Sequence, residues 1–194
     1  DQPRSRGLGD VYKRQQDTTA TPGAEGHQIR IADVDHDGKD EIVELGHVID
    51  DNGTQLYRMP VTHGDRFHVS DLDPDRPGLE TYAIQQNNSS MLATFLDATT
   101  NGTMIRKWYA TGLVDVGRGI ALDINATHLG TELYSTQPGI FNVKGTQIYT
   151  NSVWSPEGLW WDADLGREFI DGAGSGALSP VCLLYTSPSP RDRG

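Results

Sequence analysis

Asp33-Val34-Asp35-His36-Asp37-Gly38-Lys39-Asp40-Glu41 is the stretch on which the reading of this chain turns. Three carboxylates alternate along it, a glycine follows, and a glutamate closes it. Oxygen donors packed this densely repel one another unless a hard cation sits among them, and a divalent ion taking six to eight oxygens meets that need. Asp33, Asp35 and Asp37 would point inward from a tight turn, Gly38 allows the left-handed bend, and the Lys39 carbonyl with Glu41 would complete the shell. The start resembles an EF-hand loop, but Glu41 stands nine positions in rather than twelve and β-prone residues flank the loop instead of helices.

The same order of residues returns along the chain. Asp71-Leu72-Asp73 runs to Gly78-Leu79-Glu80, and Asp123-Ile124-Asn125 runs to Gly130-Thr131-Glu132. A looser version holds Asp162, Asp164 and Glu168. In the second copy Asp71, Asp73, Glu80 and the Leu79 carbonyl are the candidate ligands, and Pro74 and Pro77 stiffen the loop. The third offers Asp123, Asn125 and Glu132, a poorer set that should bind more weakly or hold its turn by hydrogen bonds. The fourth reads as structural. Ca2+ is the expected cofactor; plain Asp-rich turns are the alternative.

Around these loops, between residues 27 and 172, apolar residues come in short β-prone bursts bounded by Gly, Pro, Asn or Asp. They are Ile29–Ala32, Glu41–Leu45, Phe67–Val69, Thr81–Ile84, Met91–Phe95, Gly119–Leu122 and Glu132–Ser135. Asp51-Asn52-Gly53 and Asn101-Gly102 sit where hairpins should reverse. The loops begin at intervals of 38, 52 and 39 residues. Several short strands per period of that length are the footprint of β-propeller blades. The expected fold is all-β, about half of an eight-bladed propeller with calcium-binding loops; a β-sandwich with acidic turns is the alternative.

The formal net charge of −11 argues against a nucleic-acid partner, because neutralising phosphates needs clustered Lys and Arg. No apolar run approaches the roughly 20 residues of a membrane-spanning helix. The single Cys182 excludes an internal disulfide framework, so stability outside a cell would come from packing or metal. Residues 1–16 and 180–194 lack strand alternation and acidic loops and are Arg-rich. They resemble translated adapter sequence, with natural disordered tails as the other reading, and the domain is expected over residues 17–179.

Several residues outside the loops invite chemistry. His63 stands just ahead of the second loop, where imidazole could join oxygen ligands or handle a proton near neutral pH. His68 fits a strand histidine bonded to a carbonyl. Arg118 lies between Gly117 and Gly119, and Lys144 between Val143 and Gly145; exposed solubilising cations are the other reading of both. Trp108, Trp154, Trp160 and Trp161, with Tyr109, Tyr134 and Tyr149, could face sugar rings, but a sheet core needs such residues too.

The run His63-Gly64-Asp65-Arg66-Phe67-His68-Val69-Ser70-Asp71-Leu72-Asp73 with Arg76-Pro77-Gly78-Leu79-Glu80 resembles a signature of bacterial rhamnogalacturonan lyases of the calcium-rich β-propeller type, polysaccharide lyase family eleven. Ile31–Asp35 with Asp40–Val43, Gly117–Ala121, Asn142–Gly145 and Trp160-Trp161-Asp162 extend the likeness. Those enzymes are much longer, so the resemblance implies an internal fragment of a secreted, extracellular bacterial protein, monomeric when full length. It implies pectin chemistry on rhamnogalacturonan I or a related acidic plant cell-wall polysaccharide: loss of the C5 proton of galacturonate and expulsion of the 4-linked rhamnose by β-elimination. A divalent cation on the substrate carboxylate would stabilise the developing enolate-like charge while a base takes the proton. Lys144, Arg118 and His63 are the candidates for catalysis and substrate binding, with His63 also a candidate metal ligand. The alternative is a non-catalytic calcium-repeat module for adhesion or carbohydrate binding.

Overall fold

The computed structural model describes residues 26–61, 63–88, 92–98, 101–109, 113–115, 119–135, 139–150, 157–159 and 167–170. The tails lie outside them, as do Arg118, Trp154, Trp160, Trp161, Asp162 and Asp164. All regular structure among the described residues is β, and no helix is long and apolar enough to cross a membrane.

Strands β1 (Arg30–Ala32), β2 (Glu41–Glu44), β3 (His47–Ile49) and β4 (Gln55–Arg58) form the first antiparallel sheet, in chain order. The second contains β5 (Arg66–Ser70), β6 (Glu80–Ile84), β8 (Leu92–Ala98) and β9 (Thr103–Tyr109), after an interposed β7 (Gln86–Asn88) that pairs with β10 (Leu113–Asp115). The third is β11 (Gly119–Leu122), β12 (Glu132–Ser135), β13 (Gly139–Asn142) and β14 (Gln147–Tyr149), again in order. A final hairpin joins β15 (Glu157–Leu159) to β16 (Glu168–Ile170). All seven bursts expected from the sequence meet strands, with Met91 of the fifth outside the described residues. Each acidic loop joins the first strand of a sheet to the second, and Glu41, Glu80 and Glu132 each open that second strand.

The two-residue period of a strand lets a middle sheet feed two cores. Phe67 and Ala83, opposite each other in the ladder, join Val34, Val43, Leu45 and Val48 between the first and second sheets. Tyr82 and Ile84, on the other face of β6, join Leu72, Ala121 and Leu133 between the second and third. Ile120, Leu122 and Tyr134 then face the last hairpin, where a Cβ on Gly158 would come within 2.1 Å of Leu122 Cδ1. Trp108 stacks edgewise on Tyr82 and tilts against Phe141, so its ring belongs to packing. The outer face of the first sheet is different: Ile31 and Ile42, a cross-strand pair, are exposed there together with Ile29.

Hairpin ends repeat as well. Asp50-Asp51-Asn52-Gly53-Thr54 between β3 and β4 and Asn142-Val143-Lys144-Gly145-Thr146 between β13 and β14 close with the same bonds: Gly53 N to Asp50 O and Gly145 N to Asn142 O. This equivalence positions Lys144 at the tip of its turn.

Candidate functional site

The three described loops are built around one device. Glu41, Glu80 and Glu132 are fully buried, at 0, 0 and 2 % exposure. Oε2 of Glu41 accepts a hydrogen bond from Val34 N at 2.8 Å. Oε2 of Glu80 accepts two, from Leu72 N at 3.0 Å and Asp73 N at 3.1 Å, and Oε2 of Glu132 accepts two, from Ile124 N at 2.9 Å and Asn125 N at 3.0 Å. The closing glutamate thus clamps the start of its own loop. Gly38, Gly78 and Gly130 take φ of 89°, 95° and 88° at the loop's return, where a Cβ would be strained.

In each clamp the second oxygen, Oε1, is buried and makes no hydrogen bond. That of Glu80 has only the Arg76 guanidinium, with Nε at 3.8 Å. Burial pushes the carboxyl of Glu132 up to about 7, against the pull of the Ile124 and Asn125 amides. Glu41 and Glu80 are raised for the same first reason, burial, again opposed by loop amides. A buried oxygen without a partner is costly, and here it lies beside further carboxylates.

In the first loop Asp33, Asp35 and Asp37 offer oxygens all within 4.8 Å of one another, and Asp37, Glu41 and Asp51 do the same. Asp33 accepts from Asp37 N at 3.2 Å and Gly38 N at 3.1 Å, and Asp35 accepts from Asp37 N at 3.2 Å. His36 takes a left-handed φ of 64° to make this turn. Lys39 Nζ lies 2.9 Å from Asp37 and 3.2 Å from Asp51, bonds that lower the Asp37 carboxyl and raise the Lys39 amine. Asp51, unsuspected from sequence, therefore joins the cluster from the neighbouring hairpin turn. The crowded carboxylates and the orphan Glu41 Oε1 fit a hard, oxygen-seeking cation.

The second loop meets a different partner. Lys144 Nζ lies 2.5 Å from Asp73 Oδ1 and 2.8 Å from Asp75 Oδ2. Hydrogen bonds to Asp73, then Asp75, raise the Lys144 amine, which holds it as an ammonium and works against a proton-abstracting role. Asp71 remains exposed, while Leu79 precedes the buried Glu80. In the third loop Asn125 Oδ1 accepts from Thr127 N at 3.0 Å and Thr127 Oγ1 at 2.6 Å, a turn held by hydrogen bonds beside exposed Asp123.

His63 stands apart from the loops, in a cluster that sequence reasoning reached only by half. Its Nε2 lies 3.2 Å from His27 Nε2, the rings meet edge to face, and Asp65 Oδ1 is 3.5 Å from His27 and 3.8 Å from His63. All three ligand atoms fall within 4.8 Å. A parallel bridge between Gly26 and Gly64 brings the histidines together across 36 residues. The mirrored pairs Gly26-His27 and His63-Gly64 were the available signal. His68 instead donates from Nε2 to the Gly119 carbonyl at 3.4 Å, as a strand histidine should.

Residues 10–179 match the family described as Rhamnogalacturonan lyase family 11, C-terminal domain. The chain is 38% identical over 154 residues to rhamnogalacturonan endolyase YesW of Bacillus subtilis (strain 168), covering 78% of this chain and 24% of that protein. It is 34% identical over 168 residues to rhamnogalacturonan exolyase YesX of the same organism, covering 82% and 27%. Among solved structures, that of rhamnogalacturonan lyase YesW superposes with a TM-score of 0.70 at 36% identity over 75% of this chain and 25% of the other. Bacillus licheniformis rhamnogalacturonan lyase PL11 gives 0.69 at 37% identity, with the same coverage. The chain spans about a quarter of the length of the curated relatives it matches.

Proposed function

The chain belongs to rhamnogalacturonan lyase family 11, and from that premise we propose that it is a segment of a secreted bacterial lyase cleaving the rhamnogalacturonan backbone by β-elimination at galacturonate. The observation that carries the reading into chemistry is the His27–His63–Asp65 cluster, an imidazole pair and a carboxylate at the entry to β5. Elimination removes the C5 proton of galacturonate, forms the C4–C5 double bond and releases the rhamnose oxygen from C4, which leaves with a proton. We assign His63 the removal of the first proton or a place in a cation's shell, and Arg118, which directly precedes β11 in sequence, the developing negative charge.

Ca2+ is the cofactor we assign to the first loop, held by Asp33, Asp35, Asp37, Glu41 and the Lys39 carbonyl, with Asp51 close by. When bound, it supplies the positive charge that lets these carboxylates stay ionised side by side. The second and third loops, with Asp71, Asp73, Leu79 and Glu80 and with Asp123, Asn125 and Glu132, are assigned weaker occupancy, since Lys144 and Thr127 already serve their oxygens. Sheets stacked in chain order, with an apolar outer face on the first, favour propeller blades: a further sheet would cover Ile31 and Ile42 as the third covers Tyr82 and Ile84.

The deciding experiment is incubation of the intact protein with rhamnogalacturonan I while ultraviolet absorbance follows the unsaturated uronate. Product from the native protein and at least a hundredfold slower turnover in His63→Asn, on the order expected for loss of general acid–base catalysis, support the reading. No product from correctly folded intact protein would leave the carbohydrate-binding repeat module in its place.

A further inference from the structure

Two hairpins of the chain reverse on the same dipeptide, Asn52-Gly53 between β3 and β4 and Asn101-Gly102 between β8 and β9, each joining the last two strands of its sheet. Asn-Gly suits a tight hairpin because the glycine takes positive φ, here 84° at Gly53 and 66° at Gly102. It also sets a side-chain amide carbon beside a main-chain nitrogen that no Cβ shields. In both turns the asparagine Oδ1 accepts a main-chain bond, from Thr54 N at 2.9 Å and from Thr103 N at 3.0 Å. Each bond draws electrons away from Cγ, so the two amide carbons are polarised alike.

The nitrogens on either side of that carbon differ between the turns. Gly53 N donates to the Asp50 carbonyl at 2.7 Å, and the Asn52 side-chain amide donates to the Asp50 carboxylate. Asp50 N in turn donates to the Thr54 carbonyl at 2.8 Å, which closes the hairpin behind them. Freeing Gly53 N to attack means breaking a bond, and the carboxylate opposes the negative charge that attack develops. Asn101 is exposed, and among the described residues neither its Nδ2 nor Gly102 N has a hydrogen-bond partner. Glycine is imposed at position 102 twice over: by its φ, and because a Cβ there would come within 2.4 Å of Tyr57 Cδ2. The fold therefore keeps an unshielded nitrogen next to Asn101.

We propose that Asn101 is a site of spontaneous covalent modification, deamidating through a cyclic imide, and that Asp50 protects Asn52 in the equivalent turn from the same reaction. Gly102 N gives up its proton to water and bonds to Asn101 Cγ; the Cγ–Nδ2 bond breaks and ammonia leaves. Water then adds to either carbonyl of the ring and breaks that carbon's bond to Gly102 N, leaving aspartate or isoaspartate with no change of oxidation state. The isoaspartyl product carries an extra methylene in the main chain, at the turn where the second sheet rests on Tyr57 of the first. The inference is independent of the lyase reading and of the metal assignment.

The test is prolonged incubation of the intact protein in mildly alkaline buffer, followed by peptide mapping that resolves asparagine, aspartate and isoaspartate at both turns. In the folded protein Asn101 should convert at least about tenfold faster than Asn52, the factor expected where hydrogen bonds must break first. In urea, where neither turn persists, the two should convert at similar rates. Asp50→Ala keeps the main-chain carbonyl and removes the carboxylate, and in it Asn52 should convert about tenfold faster. Should that variant fail to melt cooperatively, the comparison of the folded and urea-unfolded native chain decides alone. Asn101 left intact in the folded protein while it converts in urea, or equal rates at the two turns of the folded protein, would overturn the proposal. So would an unchanged Asn52 rate in folded Asp50→Ala, or the same bias toward Asn101 persisting in urea, which would assign it to neighbouring sequence and not to the fold.

Discussion

Lys144 and Asp73, 71 residues apart, meet at 2.5 Å across the boundary between the third and second sheets. Asp73 is 4 % exposed, so the ammonium serves a carboxylate that water hardly reaches. Lys144→Met keeps the aliphatic stem and removes the charge. The variant should melt at a lower temperature than the native chain in the absence of divalent ions, and added calcium should restore part of the difference by replacing the lost positive charge. Identical melting curves for the two proteins in chelator would show that the contact has no weight.

Replacing Glu80 by Ala removes the acceptor of the Leu72 and Asp73 amides and opens a buried space. Two orphaned N–H groups and a cavity together should cost about 2–5 kcal/mol, measured as the shift in urea midpoint at constant slope. Glu80→Gln, which keeps a carbonyl oxygen at the same place, should lose less.

Glu132 gives a pH prediction whose direction is opposite to that of a salt-bridged acid. Its folded pKa, about 7, lies above the ordinary glutamate value of 4.5, so the folded chain binds this proton more tightly than the unfolded one. The contribution is complete below the unfolded value and is lost as pH rises through the folded one. In chelator, thermal stability should therefore fall between roughly pH 4.5 and 7, and Glu132→Gln, permanently uncharged, should flatten the profile in that window. Glu41 and Glu80, also raised, add to the same trend.

For the first loop, chelator should lower stability by roughly 3 kcal/mol relative to calcium at a hundredfold excess over Kd, because the ion binds only the folded state. Asp35→Ala should remove most of that dependence. Equal melting temperatures with calcium and with chelator would sink the metal assignment.

Gly64 offers a geometric check on the histidine cluster. A Cβ there would come 2.2 Å from the Ile84 carbonyl and 2.8 Å from Gln85 Cα, both backbone atoms that cannot swing away. Gly64→Ala should destabilise by about 1–3 kcal/mol, the usual cost of overpacking, and should slow turnover further by moving His63 from His27. Stability loss without any change in turnover would separate the cluster from the reaction.

The recurrence of the acidic loops and the strands beside them was legible in sequence because both are local: alternating Asp, a left-handed glycine, and short β-branched runs. The edge strands β4 and β14 were less legible, since Gln55–Arg58 and Gln147–Tyr149 are half polar and carry no buried alternation. Glu41, Glu80 and Glu132 stand out in the sequence as candidate ligands, but their hydrogen bonds to their own loops are a tertiary property that spacing alone does not specify. Contacts spanning long stretches of chain were the hardest. Lys144 joins Asp73 through sheet stacking with no neighbouring marker, and His27 joins His63 through the Gly26–Gly64 bridge, for which the mirrored Gly-His and His-Gly pairs are the sole trace in the sequence.

The backbone bonds from Thr131 N to the Leu72 carbonyl at 3.0 Å and from Arg167 N to the Asp123 carbonyl at 3.0 Å run from the ends of the third and fourth loops to the loop before. They make the loops links of one chain rather than independent clasps. Order gained in one link is handed to its neighbour, so the array should melt like a one-dimensional lattice, with nearest-neighbour coupling setting how sharply it gives way.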